Sequence, residues 1–383
     1  MAPTLAFPLD EYRGRLARLR AKMAERGIDT LLAINPVSTC YLTGYQTFGL
    51  GTYQCLVVPS AGDPTLLAFE LELPGVFLSS WIEDGVAYRS GESPYEATRA
   101  LLDRRGLSGG RIGVERDSPY ISVQNHERLL AALAGCQVVD GSAIVKYLQA
   151  RKSPAEIEVI RQAGTITARG MQAAVDAVAA GVTDNDVAAA AYDALIRAGS
   201  EFMCLDPVVT TGPRSGVPHT THQRVRINPG DPVWIEIGAC LSRYSAPLMR
   251  TVFVGDPPPG AQQLADASMA ALKTVLATAR AGRVAQDVAA EARKVLPLDD
   301  PTVVFHHTYG YSIGLGFPPD WSDDVPLRMR AGVTTVLEKG MVFHVTMGLR
   351  RNRQYGAVTS ETAVITDDGC EPLTDFPRQY FYT

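Results

Sequence analysis

One short segment, Lys152-Ser153-Pro154-Ala155-Glu156, constrains the fold more than any other part of the sequence. Ser153 can cap a helix, Pro154 suits the first helical position and Glu156 completes a capping box, so a long helix begins here. A chain of 383 residues is too long for one ordinary hydrophobic core. We therefore place a domain boundary at this segment. The two predicted domains are residues 1–150 and 151–383.

Upstream of the boundary, short apolar strands alternate with amphipathic helices. Leu16, Leu19 and Met23 recur at helical spacing, which predicts a helix over residues 10–27. Strands that alternate with helices are typical of an α/β domain with a partly parallel sheet. The other segments predicted in this domain are strands at 30–34, 55–59, 65–69 and 111–115 and helices at 95–105 and 120–134.

Downstream of the boundary, longer helices are combined with strands. The first helix should run to about Gly181, and a second should extend from Thr183 to Gly199. Long helices with antiparallel strands predict an α+β domain. The remaining predicted segments are strands at 205–210, 233–239, 249–255, 341–346 and 361–365 and helices at 261–281 and 285–295.

Composition and charge exclude several classes of partner. The net charge is -5 and no dense run of Lys or Arg occurs, so we expect neither nucleic acid nor a membrane as a partner. No uncharged apolar run reaches the roughly 18 residues that a membrane span needs, and the N-terminal residues do not resemble a signal peptide. The six cysteines form no C-x-x-C pair, which favours a reducing compartment, so we predict a cytoplasmic protein.

Histidines indicate that the chemistry lies in the second domain, where five of the six occur: His219, His222, His306, His307 and His344. Imidazole suits proton transfer near neutral pH. A histidine can also satisfy hydrogen bonds in a core. The uneven distribution of the histidines therefore indicates which domain carries the site, but not which histidine takes part in the chemistry.

Two glutamates lie inside apolar strand segments. Glu236 follows Trp234-Ile235, and Glu361 precedes Thr362-Ala363-Val364. Burial raises the pKa of a carboxyl group unless a cation or hydrogen bonds hold it ionised. Two interpretations remain open for each residue: a functional carboxylate, or a side chain on the wet face of a half-exposed strand. For Glu361 the functional alternative is one member of a facing pair.

Two further segments resemble anion sites only superficially. Residues 310–316 are rich in glycine but have neither the GKS or GKT ending of a P-loop nor a G-x-G-x-x-G order. Their glycines are better explained by close backbone approach in the wall of a site. Arg350, Arg351 and Arg353 are typical of a solvated loop, with a carboxylate-binding arginine among them as the alternative.

Several motifs together resemble the creatinase/aminopeptidase P family. Lys339 departs from that pattern, since it stands where the family has proline. The resemblance implies a creatinase-like α/β N-terminal domain and an α+β pita-bread catalytic domain. The matching segments, which extend over nearly the whole chain, are Tyr41-Leu42-Thr43-Gly44-Tyr45, residues 152–157, Pro229-Gly230-Asp231, Arg250-Thr251 with Gly255, and Glu338-Lys339-Gly340-Met341-Val342-Phe343.

The resemblance also implies that the two-metal site of the family has been lost. Metallopeptidases of this family hold two metals with two Asp, one His and two Glu. Proline has no side-chain donor, and tyrosine and neutral threonine are poor ligands for a divalent ion. We therefore expect no metal and no cofactor. Carried over position by position, the five ligands fall on Glu236, Pro247, Tyr311, Thr346 and Glu361.

A narrower resemblance is to the ectoine hydrolases, metal-independent relatives that open a cyclic amidine. Ser245 stands where those relatives tend to have a second histidine, and loop 46–54 also differs, so the substrate stays open. The matching segments are Glu236 with Arg243-Tyr244, Pro247-Leu248, Gly310-Tyr311-Ser312-Ile313-Gly314, Phe317-Pro318-Pro319-Asp320-Trp321 and Phe343-His344.

This resemblance predicts metal-independent hydrolysis of a non-peptide C–N bond in a small amidine, guanidine or cyclic amide. Glu236 would be the nucleophile or would hold the amidinium, and His219, which matches the catalytic histidine of creatinase, would be the general acid and base. Glu361 would activate water or bind the substrate cation, and Tyr311 would donate to developing charge. Paired glutamates suit a cationic or zwitterionic substrate. The residues expected to contact substrate are His344, Thr346, Tyr45, Phe48 and His222.

Two other functions remain open: a lyase or cyclase on the same fold, and a pseudo-peptidase that only binds a ligand. The second is disfavoured because binding alone needs no acid–base set.

The resemblance also implies a homodimer in which residues 41–54 of one subunit cover the pocket of the other. The alternative for that segment is an ordinary loop whose aromatic residues form their own core.

Overall fold

The predicted capping box forms at the start of a helix of 24 residues, Pro154–Ala177. The Ser153 hydroxyl accepts a hydrogen bond from the Glu156 amide at 3.3 Å, and the Glu156 carboxylate accepts one from the Ser153 amide at 2.8 Å. In the computed structural model, which describes residues 3–323 and 325–383, the chain divides into two units, residues 1–149 and 150–383.

The first unit is built around a six-stranded sheet with the order β4-β3-β2-β1-β5-β6. Strand β2 runs antiparallel to β1 and β3, whereas β1–β5, β5–β6 and β3–β4 are parallel pairs. The predicted α/β domain with a partly parallel sheet is therefore confirmed. Its elements are α1 Leu9–Glu25, β1 Thr30–Ala33, α2 Pro36–Thr43, β2 Cys55–Pro59, β3 Thr65–Phe69, α3 Leu73–Ser79, β4 Gly85–Tyr88, α4 Pro94–Arg104, β5 Arg111–Val114, α5 Val123–Ala132, β6 Gln137–Asp140 and α6 Ile144–Gln149.

Strands β4 and β6 were missing from the sequence prediction. Most of their residues stay at least partly exposed, so neither strand carries the apolar run or strict alternation by which a strand is recognised. Both are the outermost strands of the sheet.

The second unit contains two mainly antiparallel sheets, as predicted for the α+β domain, with β16 as a parallel neighbour of β9. Its helices are α7 Pro154–Ala177, α8 Asp184–Arg197, α9 Ala261–Thr278 and α10 Ala285–Arg293. Its strands are β7 Val208–Thr211, β8 Pro232–Leu241, β9 Tyr244–Phe253, β10 Val303–Val304, β11 Gly310–Ser312, β12 Arg328–Met329, β13 Val342–Arg351, β14 Tyr355–Ile365, β15 Cys370–Pro372 and β16 Phe381–Tyr382. Among the helices of the described residues, none is both long enough and apolar enough to cross a bilayer.

Each sheet of the second unit has its own helical layer. The sheet β16-β9-β8-β7 shares a hydrophobic core with α7 and α8, and the sheet β12-β11-β13-β14-β15 shares one with α9 and α10. Strand β14 begins six residues earlier than its predicted start at 361. Its first six residues include Gly356, Thr359 and Ser360, which interrupt the apolar pattern, and they are buried by pairing with β13.

Side chains join the two sheets where β9 meets β14. The Thr251 hydroxyl donates to the Val358 carbonyl at 3.0 Å and accepts from the Val358 amide at 2.8 Å. Trp234 packs between the sheets with Met249 and Val358 and is only 4% exposed. The face of β8 that carries Trp234 and Glu236 is therefore covered by the second sheet, and the wet-face interpretation of this strand is wrong.

Candidate active site

Glu236 projects from β8 into the space between the two sheets. Its neighbours Ile235 and Ile237 belong to the core under α7 and α8, so the alternation of the strand turns Glu236 the other way. The side chain is half-buried, and burial raises its pKa to about 7, against the opposing effects of the Trp234 side chain and the Arg350 charge. Among the described residues no cation forms an ion pair with Glu236. Its carboxylate is therefore poised to change charge near neutral pH.

Tyr311 lies on β11 directly opposite His344 of β13. Its hydroxyl accepts a hydrogen bond from the Trp321 indole at 2.8 Å and lies 2.7 Å from His344 Nδ1. Burial, followed by the negative charge of Glu236, holds the pKa of Tyr311 well above its usual range. Tyr311 therefore stays protonated within the electrostatic field of Glu236.

The hydrogen bonds continue from His344 to Ser360 of β14. His344 Nε2 lies 2.7 Å from Ser360 Oγ, which accepts the Met249 amide proton at 2.7 Å. Burial lowers the pKa of His344 to about 3, so the ring is neutral and carries one N–H.

Proton accounting selects the tautomer of His344. If Nε2 carried the proton, the Ser360 hydroxyl would accept two bonds and its own hydrogen would find no acceptor among the described residues. If Nδ1 carries it, Ser360 donates to His344 and His344 donates to Tyr311, so the one hydroxyl hydrogen without an acceptor is that of Tyr311, which is half-buried and lines a cavity, and not that of the fully buried Ser360. Tyr311 then accepts from Trp321 and His344, and its own hydrogen is free for a group in the cleft.

Arg350 also lies at this site, which corrects the interpretation of residues 350–353 as a solvated loop. Its guanidinium lies 4.0 Å from the centre of the Trp234 ring, and burial lowers its pKa to about 10 while the Glu236 charge acts in the opposite direction. Arg351, by contrast, pairs with Asp300 at 2.8 Å, and Arg353 is exposed. The loop interpretation therefore holds for Arg353 alone.

His306 and His219 extend the site. Burial lowers the pKa of His306 to about 4, and the charges of Arg350, His307, Arg328 and His219 act in the same direction. The His306 side chain is nevertheless open to water, as expected for a residue that lines a deep cleft and not for one in a sealed core.

His219 is exposed and has a φ of 56°, a conformation that residues other than glycine rarely adopt. Its backbone therefore has a strained conformation of the kind that is concentrated at functional sites. The described contacts do not link His219 directly to Glu236, so their meeting across a pocket stays a prediction.

Glu361 is placed differently from the sequence expectation. It is fully buried, its carboxylate binds Arg250 at 2.8 Å, and it accepts a hydrogen bond from the Thr374 hydroxyl. A carboxylate with these partners has no free face for water or a substrate cation. The role first assigned to Glu361 is therefore withdrawn.

The strand register also corrects the assignment of the last metal-ligand position. Thr346 of β13 pairs with Ser360, whereas Glu361 pairs with Val345. Residues paired in a ladder share a face and neighbours in one strand do not, so the position that shares a face with Thr346 is Ser360.

The side chains at the five ligand positions do not fit a pair of metal ions. Glu236 is the one carboxylate among Glu236, Pro247, Tyr311, Thr346 and Ser360. Tyr311 and Ser360 are engaged in the hydrogen bonds described above, and the Thr346 hydroxyl donates to Met249 Sδ at 3.1 Å. Within residues 3–323 and 325–383, no group of three or more His, Cys, Asp or Glu side chains is placed to hold a metal.

Three residues expected to contact substrate have other surroundings. His222 Nδ1 lies 3.1 Å from the Pro207 carbonyl, which ties it to its own loop. In the first unit, Tyr45 is buried and donates to Glu72 at 3.0 Å, whereas Phe48 is 79% exposed. Their expected role at a site in a partner subunit stays a prediction.

A cavity of about 260 Å³ opens beside Tyr311. Arg328 and Arg330 contribute to its lining, together with Ser312 and Ser322, whereas Glu236, Arg350 and His219 do not. The cavity is therefore adjacent to the cleft around Glu236 and is not its centre.

Sequence reasoning missed Arg350, His306, Trp321 and Ser360 as site residues. Trp321 lies in a segment that resembles the ectoine hydrolases, so that resemblance was a usable signal. Ser360 was hidden because a glutamate follows it, and Arg350 because two further arginines suggested an ordinary charged loop.

Comparison with known proteins finds a family model for each of the two units and relatives that match nearly the whole chain. Residues 158–367 match the model of metallopeptidase family M24, and residues 15–150 match the creatinase/prolidase N-terminal domain. The chain is 30% identical to ectoine hydrolase from Halomonas elongata, over 99% of this chain and 98% of the relative. It is 26% identical to Xaa-Pro dipeptidase from Pyrococcus furiosus, over 95% and 99% of the two chains.

The fold of this chain also matches that of a protein whose structure has been solved. Dipeptidase PepE from Mycobacterium ulcerans superimposes with a TM-score of 0.83 at 25% identity, over 98% of this chain and 99% of that one. The fold of this chain is thus shared with a dipeptidase of known structure.

Proposed function

The chain belongs to metallopeptidase family M24, with a creatinase-like N-terminal domain and a pita-bread catalytic domain, and from this premise we propose that it hydrolyses a non-peptide C–N bond without metal. The substrate class is a small amidine, guanidine or cyclic amide, with ectoine as the first candidate. The observation that carries the proposal is Glu236, a half-buried carboxylate with a pKa of about 7 and no ion-pair partner among the described residues.

Glu236 has two chemically distinct ways to act. As a nucleophile it attacks the amidine carbon, and the C–N bond breaks with proton transfer to the leaving amine. The product bound to Glu236 is an imidate ester, or an acyl ester where the substrate is a cyclic amide, and water then cleaves the bond between that carbon and the Glu236 oxygen. As an anchor it holds the amidinium by charge while water attacks the same carbon. Both routes consume one water and produce an amine, and both require the ionised carboxylate.

Tyr311 is assigned to stabilise charge that develops on the substrate. The accounting of protons leaves its O–H as the free donor of the chain Ser360–His344–Tyr311. A fixed donor in a site that excludes most water is worth about 10²–10³ in rate. His344, Ser360 and Trp321 position this hydroxyl.

Proton transfer to the leaving nitrogen is assigned to His219. His306 is neutral near pH 7 because its pKa is about 4, so it is suited to accept a hydrogen bond and not to supply a proton. A positioned acid–base group of this kind contributes about 10²–10⁴-fold.

The proposal is tested with three substrates offered to the purified protein, before and after chelation: ectoine, creatine and an Xaa-Pro dipeptide. We expect turnover of a non-peptide substrate that chelation does not reduce. Cleavage of the dipeptide that is lost on chelation and restored by a divalent metal would show that the peptidase chemistry of the family has been retained, and would overturn the proposal.

A further inference from the structure

Arg350 is a half-buried cation whose surroundings supply no anion. Its Nε is buried without a hydrogen-bond partner, and among the described residues no carboxylate forms an ion pair with it. The two fully buried arginines of this unit are satisfied: Arg250 by Glu361 and backbone carbonyls, and Arg243 by the Phe202 carbonyl. A guanidinium withdrawn from water without an acceptor is unfavourable, so Arg350 lacks a partner that the fold itself does not provide.

The closest functional counterpart of Arg350 is Glu236, yet the two do not touch. Each charge shifts the pKa of the other, so they act on each other across the cleft, but no direct salt bridge joins them. Trp234 and Glu236 share one face of β8, and Arg350 stacks on Trp234. The two opposite charges therefore lie on the same side of this strand without pairing, an arrangement suited to a molecule with one charge of each sign.

The remaining charges of the cleft are arranged with the same polarity. Arg328 and Arg350 both act on His306, so two permanent cations lie near that histidine. Asp320 adds its charge to that of Glu236, raising the pKa of Glu236 further. A ligand that is negative at one end and positive at the other matches this separation.

Trp234 fixes the direction in which Arg350 can bind. The indole lies under the guanidinium at 4.0 Å, and the opposing Gly356 lies so near the Arg350 side chain that an added Cβ would be 3.2 Å from Cγ. A guanidinium that packs on an aromatic ring is suited to bind a planar acceptor such as a carboxylate through its N–H groups.

We propose that Arg350 binds a carboxylate of the substrate while Glu236 faces its amidinium or guanidinium group. The substrate class narrows to amidines and guanidines that carry a carboxylate. This assignment rests on the proposed function for the identity of the cationic end, but the carboxylate subsite can be tested by binding alone.

The test uses two matched pairs of probes that differ only in the carboxylate: ectoine against methyltetrahydropyrimidine, and creatine against its decarboxylated counterpart, dimethylguanidine. Affinities are measured by calorimetry for the wild-type protein, for Arg350→Met and Arg350→Lys, and for Arg351→Met as the control. Arg351 is the adjacent arginine whose partner Asp300 is known.

In the wild-type protein and in Arg351→Met, at least one carboxylate-bearing probe should bind more tightly than its partner. Arg350→Met should weaken that probe about 10- to 100-fold and leave the decarboxylated probe within about twofold. The affinity of Arg350→Lys for the carboxylate-bearing probe should lie between those of the wild type and Arg350→Met, because a lysine keeps the charge but not the bidentate geometry. Thermal unfolding should show Arg350→Met to be at least as stable as the wild type, since a charge without an acceptor has been removed.

The subsite is refuted if neither carboxylate-bearing probe is preferred by the wild type, or if the preference survives Arg350→Met. It is separable from the proposed function. Preferential binding through Arg350 without any turnover would leave the subsite standing and overturn the hydrolase, whereas turnover that is indifferent to Arg350→Met would do the reverse.

Discussion

Glu236 and Glu361 look alike in the sequence, and the structure surrounds them in opposite ways. Glu361 on β14 is fully buried and bound by Arg250 and Thr374. Glu236 on β8 is half-buried, reaches the cleft between the sheets and has no ion-pair partner among the described residues. Apolar flanks therefore identify a buried carboxylate, but only its partners tell whether the charge holds the fold together or remains available for chemistry.

The same contrast applies to the two arginines. Arg250 donates hydrogen bonds to Glu361 and to backbone carbonyls. Arg350 stacks on Trp234, and its Nε has no hydrogen-bond acceptor. Glu361 and Arg250 therefore form a buried salt bridge, whereas Glu236 and Arg350 influence each other without forming one. Perturbed, unpaired charges in a cleft are typical of functional sites.

The largest effect should come from Glu236→Gln, which keeps the size of the side chain and removes its charge. If Glu236 is the nucleophile, kcat should fall roughly 10³-fold or more with little change in KM. If it is an anchor, KM should rise instead. Steady-state kinetics on the candidate substrate that the wild type turns over distinguishes the two, and a fully active variant would remove the centre of the mechanism.

Glu361→Gln should reduce the stability of the protein and leave its catalytic rate unchanged. Removing one partner of a buried ion pair costs about 3–5 kcal/mol of unfolding free energy, because Arg250 is left without its counter-charge. Urea unfolding measures the loss, and kcat of the folded fraction should be unchanged. Glu371→Gln is the matched control, since its pair with Arg161 is exposed and should contribute about 0–1 kcal/mol. A selective loss of kcat in Glu361→Gln would restore the catalytic role withdrawn here.

Tyr311→Phe should reduce kcat by about 10²–10³, because it deletes the free donor and leaves the ring. Ser360→Ala should have a smaller effect of about tenfold, since it disturbs only the positioning of His344 and hence of the Tyr311 proton. Single-turnover kinetics measures both. Equal activity in wild type and Tyr311→Phe would contradict the assignment of protons along this chain.

The pH dependence should report on Glu236. Burial raises its pKa to about 7, so the reactive ionised form dominates above that pH and the inactive protonated form below it. On the acidic side kcat/KM should decrease about tenfold per pH unit. Arg350→Met should move this limb to higher pH, because the Arg350 charge favours the ionised carboxylate. A limb that does not move would show that the two charges are not coupled.

The smallest expected effect concerns the proposed homodimer. Phe48 is 79% exposed in the first unit, and we expect it to cover the pocket of a partner subunit, which excludes water from a small polar site. Phe48→Ser should raise KM several-fold and weaken dimerisation, as measured by kinetics and light scattering. A monomer at working concentrations, with unchanged KM in the variant, would favour the alternative of an ordinary surface loop.

The sequence by itself determined the features that depend on neighbours along the chain. The capping box at Ser153, the helix that follows it and the alternation of strands with helices are local, so they were predicted within a few residues. The replacement of ligand-type side chains at Pro247, Tyr311 and Thr346 was equally visible, because it depends on residue chemistry alone.

Only the tertiary structure decided which charges meet. A shift of one residue in a strand reverses the face on which a side chain lies, and this separates Ser360 at the site from Glu361 in the ion pair with Arg250. The stacking of Arg350 on Trp234 likewise joins β13 to β8, which lie in different sheets. Such contacts depend on strand register and sheet packing, which are set by the whole core, and no local pattern in the sequence encodes them.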